Sequence, residues 1–178
     1  NRMEVLVRDL LWLSRIESVE PGEKTGSVNM QGLLEEVAHY LGPVWPEREI
    51  VLECSETGDV RGDFMELQSA VSNLIINALK YSDPKHPVQV KWFEGADHKL
   101  MLEVSDRGEG IAPEHLPRLT ERFYRVEKSR SQQTGGTGLG LAIVKQVAAG
   151  HQAELQIESE LEKGSTFRLV FANSTFNA

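Results

Sequence analysis

The chain has 178 residues, 40% hydrophobic and 26% charged, a globular composition long enough for one domain and an appendage around a real core. Its net charge of −8 argues against a nucleic-acid binder and makes any basic patch a local feature. The lone cysteine, Cys54, excludes an intrachain disulfide framework and a cysteine-cluster zinc site, and no apolar run approaches the ~20 residues of a membrane-spanning helix.

Residues 1–17 place Met3, Leu6, Leu10, Leu13 and Glu17 at spacings of three and four, a seam like that of a coiled coil. A plain amphipathic helix packed on its own domain has the same spacing. The pattern is already under way at Asn1, so the chain is expected to be a fragment of something larger. "SVEPGEKTGS" has no period and reads as a linker. "MQGLLEEVAHYL" is a helix ended by Gly42 and Pro43, and "EIVLEC" is a strand. The helix after "RGD" has Asp63 as N-cap and Glu66 three residues on, a capping-box arrangement, and Ser82-Asp83-Pro84 stops it. "PVQVKWFE" and "KLMLEVSD" alternate as two strands of a hairpin joined through Gly95–His98. From Arg107 to Thr137 the periodicity fails except for a short helical hint, "PEHLPRL", and a loop of that length is usually functional or mobile. "GLGLAIVKQVAAG" is a helix stopped at Gly150, and "AELQIES" and "STFRLVFA" are closing strands that turn at Gly164. Helices and antiparallel strands in this order predict an α+β fold: a two-layer sandwich with a mixed, mostly antiparallel sheet and helices on one face.

Four stretches carry chemistry. On the "NLIINALKYS" helix, Phe64, Leu67, Val71, Leu74, Ile75 and Ala78 form the core face. Asn73, Asn77, Lys80 and Tyr81 share a neighbouring face. Carboxamide oxygens suit Mg²⁺ and a lysine suits phosphate, although a solvated polar flank has the same pattern. In "SDRGEGI", Asp106 ends a strand ahead of Gly108 and Gly110; an ionised aspartate accepts the amine of adenine and repels the O6 of guanine, although a plain turn also reads D-x-G-x-G. "GGTGLGLAIVK" runs glycines into a helix start, an anion site that matches neither the dinucleotide fingerprint nor a Walker loop. In "RLTERFYRVEKSR", Arg118, Arg122, Arg125, Lys128 and Arg130 outnumber Glu121 and Glu127, a local reversal of charge that suits a polyphosphate or simply a solvated loop.

Together with "GSTF" at 164–167, these stretches resemble, in one order, the N, G1, F, G2 and G3 boxes of the sensor histidine kinase catalytic domain. That domain is the ATP-binding fold shared with gyrase B, the Hsp90 chaperones and MutL. The resemblance covers residues 27–172, and "RLTERFYRVEKSRSQQTGGTGLGLAIVK" is most similar to the phosphate-regulon branch. Residues 1–17 are similar to the end of the second helix of the dimerisation and phosphoacceptor domain, with 18–26 as linker and 173–178 as tail.

The resemblance implies that Asn77 holds Mg²⁺ on the ATP phosphates, with Asn73, Lys80 and Arg125 as catalytic groups beside it. Tyr81 would line the nucleotide cleft and Asp106 would read adenine, supported by Thr166. Residues 112–137 would form the lid. Gly108, Gly110, Arg122, Gly136, Thr137, Gly138, Leu139 and Gly140 complete the implied ATP site. Hydrolysing relatives carry Glu where Asn73 stands; an amide is a poor general base, so ATP should be held for transfer to a histidine. None of His39, His86, His98, His115 and His151 sits in an acceptor-box pattern, and all read as surface or strand-edge residues. The acceptor would then be an upstream domain of the same protein, a homodimer in full length. The final recipient would be a response regulator receiver domain, the signal phosphate starvation, and the setting the cytoplasmic side of an inner-membrane parent. Arg107 replaces the usual Asn after the G1 aspartate, a peripheral position. The competing readings are an ATPase whose dimer closes on nucleotide, disfavoured by Asn73, and a nucleotide-independent adapter, disfavoured by intact Asn77 and Asp106.

Overall fold

Helix α1 (Arg2–Glu17) opens the computed structural model, which describes residues 2–18, 26–55, 58–126, 136–172 and 174–175. Strand β1 (Ser27–Asn29) leads into α2 (Met30–Leu41), whose N-cap Asn29 accepts the Gly32 N–H at 2.7 Å. Met30, Leu33, Leu34, Val37 and Leu41 give α2 one buried stripe, and a 3₁₀ turn at Gly42–Val44 ends it where Pro43 was expected to. Then follow β2 (Ile50–Cys54), β3 (Asp59–Arg61), α3 (Phe64–Tyr81), β4 (Val88–Glu94) and β5 (Leu100–Asp106). Helix α4 (Gly140–Gly150) precedes β6 (Ala153–Glu160), β7 (Gly164–Phe171) and β8 (Ser174–Thr175).

The main sheet has the order β2-β4-β5-β7-β6, with β2 and β4 parallel and every other pair antiparallel. Alternation assigns its faces. Val88, Val90, Trp92, Leu100, Leu102, Val104, Phe167, Leu169 and Phe171 point to the helices and are buried. On the other face Arg168 bonds Glu103 at 2.6 Å and Glu158 at 2.7 Å. Helix α3 packs against α2, α4 and β5, so the centre of the core lies beneath it. This is the expected sandwich. A second sheet, β1-β3-β8, also forms; strands of two and three residues are too short to show a period.

Several expectations change. Phe64 is 39% exposed and Glu66 is buried instead. The core stripe of α3 runs through Leu67, Ala70, Val71, Leu74, Ile75, Ala78 and Leu79. The capping box is half formed: Asp63 accepts the Glu66 N–H at 3.0 Å, but Glu66 turns inward. The Asp63 N–H goes to His151 Nε2 at 3.0 Å. A backbone N–H only donates, so Nδ1 carries the His151 proton and gives it to Val147 O at 2.8 Å. His151 is therefore a buried, neutral tie between α3 and α4, not a surface histidine. Of the expected seam, Met3 is 71% exposed and Leu13 is buried, with Ile16, as α1 packs on α4. In the expected lid, Pro113–Arg118 form 3₁₀ turns, and residues 127–135, including Lys128 and Arg130, lie outside the described residues.

Candidate functional site

A cavity of about 310 Å³ opens between α1, α3, the start of α4 and the ends of β5 and β7. The α3 face carrying Asn73, Asn77, Lys80 and Tyr81 forms one wall, because side chains three and four apart stack on one side of a helix. Asn73 Nδ2 donates to Ser69 O at 2.9 Å, which turns Oδ1 toward Gly140. A Cβ on Gly140 would stand 2.7 Å from that oxygen, so the glycine is what lets α4 begin against the asparagine.

Asp106 stands at the end of β5 opposite Ser165 of β7. Burial pushes its carboxyl up to about 6, while the N–H groups of Gly108 and Ser165 and the charge of Arg48 pull it back. The turn beyond it is tight: Gly110 has φ +66°, and a Cβ there would meet Glu160 O at 2.0 Å. At the other end, burial holds the Lys80 amine below its ordinary value, Arg125 adds to the effect, and Asp9 of α1 opposes it. Thr137 Oγ1 donates to Asp9 Oδ2 at 3.0 Å, so α1 contributes a carboxylate to this end of the cavity. The N-cap of α4 is Leu139, with no side-chain cap, which leaves the first N–H groups of the helix open to an anion. Phe123 N–H donates to Gly138 O at 2.9 Å, and His115 Nδ1 lies 2.6 Å from the Tyr124 hydroxyl with Arg118 over the Tyr124 ring. These contacts seat the first part of the basic loop against the cavity.

Asn73, Asn77, Lys80, Tyr81, Asp106, Gly110, Arg125, Gly136, Thr137, Gly138 and Gly140 thus meet in one place. Four expected residues do not line it. Gly108 packs behind Tyr81, where a Cβ would fall 2.2 Å from Tyr81 O. Leu139 is fully buried in the core. Arg122 pairs with Glu17 of α1. Thr166 faces the outer side of the sheet, donating to Ser105 Oγ at 3.3 Å. Ser165 takes the place expected of Thr166, as strand alternation allows: with Phe167 facing inward, Ser165 must as well. Asp9, His115 and Tyr124 also line the cavity and lay outside the sequence reading of the site.

An acidic acceptor at one end, the cations Lys80 and Arg125 with open helix N–H groups at the other, and neutral amides between them give a two-layer α+β sandwich a pocket whose chemistry suits a nucleotide. The chain belongs to the histidine kinase-, DNA gyrase B-, and HSP90-like ATPase family, which matches residues 62–175. Over 176 residues it is 43% identical to the phosphate regulon sensor protein PhoR of Pseudomonas aeruginosa, an alignment that covers 97% of this chain and 39% of that protein. Among solved structures it is similar to the mycobacterial sensor histidine kinase MprB, with 28% identity, a TM-score of 0.72, and 83% of this chain and 96% of that one covered. It is also similar to full-length ShkA in complex with AMPPNP, with 27% identity, a TM-score of 0.81, and 98% of this chain and 36% of that one covered. The chain spans about two fifths of the length of the curated relatives it matches.

Proposed function

We propose that this domain holds Mg·ATP and passes the γ-phosphoryl group to a histidine on an upstream acceptor domain, for relay to the aspartate of a response regulator in phosphate-starvation signalling. Residues 1–17 are then the end of the second acceptor-domain helix, 18–26 the linker, 27–172 the catalytic domain and 173–178 its tail. The parent is a homodimer anchored in the inner membrane with this domain in the cytoplasm. The observation that carries the reading is the cavity itself, with the Asn73, Asn77 and Lys80 face of α3 at one side and Asp106 at its end.

Asp106 accepts the adenine amine, backed by Ser165. Lys80 and Arg125 bind phosphate oxygens, and the α4 N–H groups, freed for close approach by Gly138 and Gly140, take the remaining phosphate charge. The donor set fits Mg²⁺: among the described residues no group of three or more His, Cys, Asp or Glu could hold a metal, and Asn77 offers one neutral hard oxygen. That leaves the other coordination positions to phosphates and water, the arrangement Mg²⁺ favours. When bound, the ion neutralises phosphate charge. Asn73 is held by Ser69 and cannot take a proton from water, so hydrolysis stays slow and the bound ATP is kept for the histidine.

The test mixes this chain with a purified acceptor-helix domain of a phosphate-regulon sensor kinase and γ-labelled ATP. Label is expected on the partner's histidine and is expected to drop at least ~10-fold with Asn77→Ala, the loss of one charge-centre ligand. Equal labelling by that variant refutes the magnesium assignment, and no labelling by the unmodified chain refutes the transfer.

A further inference from the structure

The five sequence boxes leave the loop between α2 and β2 without a role, yet one side chain of that loop reaches the end of α3 beside the site. Arg48 is half-buried, its backbone N–H is fixed on Trp45 O at 2.9 Å, and its Nη2 donates to Ser82 Oγ. Ser82 is 6% exposed and forms a bridge with Gly108, the residue whose N–H the Asp106 carboxylate accepts. The Asp83 N–H donates to Arg107 O at 2.9 Å, which continues the same clasp between the end of α3 and the turn after β5. Among the described residues no carboxylate forms an ion pair with Arg48.

We infer that Arg48 is a positioning residue for adenine recognition: through Ser82 it locks the end of α3 onto the turn after β5, and its charge keeps the Asp106 carboxylate ready to accept the adenine amine. This rests on the reading of Asp106 as the adenine acceptor. Other charges surround that carboxylate. Lys80 and Tyr81 of α3 and Glu109 of the following turn line the same cavity, Arg107 is exposed beside it in the chain, and Glu160 and Lys163 at the β6–β7 turn pair with each other at 2.6 Å. After burial and the Gly108 and Ser165 N–H groups, the charge of Arg48 also acts on Asp106, and it favours the ionised form. Glu47 and Glu49, its neighbours in the chain, are exposed.

The experiment measures Mg·ADP affinity by calorimetry from pH 5.5 to 8.5 for the unmodified chain, Arg48→Met and Arg48→Lys. The unmodified chain should weaken as pH falls through about 6. In Arg48→Met the onset should move to higher pH, making affinity severalfold weaker at pH 5.5 and equal at pH 8.5. Arg48→Lys should restore the profile. If Arg48→Met fails to fold, Ser82→Ala removes the tether alone and should shift the profile in the same direction. A profile that superimposes on that of the unmodified chain, or a loss of equal size at every pH, overturns the inference. Failure of the unmodified chain to bind Mg·ADP at any pH would instead overturn the ATP-site reading beneath it.

Discussion

Replacing Asp106 by Asn should stabilise the fold and weaken nucleotide binding together. The Asp106 carboxyl is raised from an ordinary 3.8 to about 6, chiefly by burial, so the folded state binds its proton more tightly than the unfolded chain does. Ionisation therefore costs stability. The cost is absent below about pH 4, grows as pH rises, and is complete above about 6. Roughly 2 units at about 1.4 kcal/mol each give an upper bound near 3 kcal/mol, and solvent contact at the cavity mouth reduces this to about 1–2 kcal/mol. Asn has no charge to desolvate and keeps an oxygen for the Gly108 or Ser165 N–H. At pH 8, Asp106→Asn should melt about 2–8 °C higher, the gap halving near pH 5 and closing toward pH 4. The same change removes a charged acceptor for the adenine amine, worth about 1.5–3 kcal/mol, so Mg·ADP affinity at pH 8 should fall about 10- to 100-fold. Thermal melting followed by circular dichroism across pH, paired with calorimetry, reads both. A variant less stable than the parent at pH 8, or a melting gap that ignores pH, would refute the reasoning.

Gly140→Ala should force the Asn73 amide away, since its Cβ would stand 2.7 Å from Asn73 Oδ1; calorimetry should show nucleotide affinity falling severalfold while the melting temperature moves little, because Ala also suits a helix better. Asp9→Ala removes the acceptor of Thr137 and the carboxylate that shares the phosphate end with Lys80, so ATP should bind about 3- to 10-fold more tightly in the same assay. Gly164→Ala combines φ +118° with a Cβ 2.0 Å from Asp106 O, a clash with backbone that cannot swing aside. It should cost about 2–4 kcal/mol in denaturant unfolding and disturb the adenine end, whereas an unchanged midpoint would count against this account of the turn.

What the sequence disclosed depended on how local the determining physics is. The α2 boundaries follow from Asn29, Gly42 and Pro43, all within a turn of the helix they limit. The amide face of α3 follows from the helical repeat alone. The misread positions need a partner distant in the chain. Phe64 fits the apolar stripe by spacing, but the first turn of α3 is held by His151, 88 residues away, and Glu66 is drawn inward there. Thr166 matches a motif by its chemistry, yet the pairing of Asp106 with Ser165 decides which hydroxyl faces the cavity. Asp9 reaches the cavity from α1, and Arg48 reaches the end of α3 from the loop after α2, segments whose local pattern carries no sign of the nucleotide.

On the proposed reading, the charges of the cavity should favour a whole nucleotide over a fragment of one. At one end the Asp106 carboxylate is partly stripped of water, and at the other burial and the charge of Arg125 both disfavour the charged form of Lys80. Each end is held at a cost that the other cannot relieve, because α3 and the β5–β7 edge keep them apart. The amides of Asn73 and Asn77 between them are neutral and offset neither. Asp9 meets part of the phosphate-end deficit from α1, with one charge where a triphosphate brings several. A ligand that relieves both ends must carry an amine donor on a flat base and several negative charges a ribose length away. Phosphates alone leave Asp106 with its desolvation cost, and a nucleoside alone leaves Lys80 with its own, so the affinity for ATP should exceed what either part would provide.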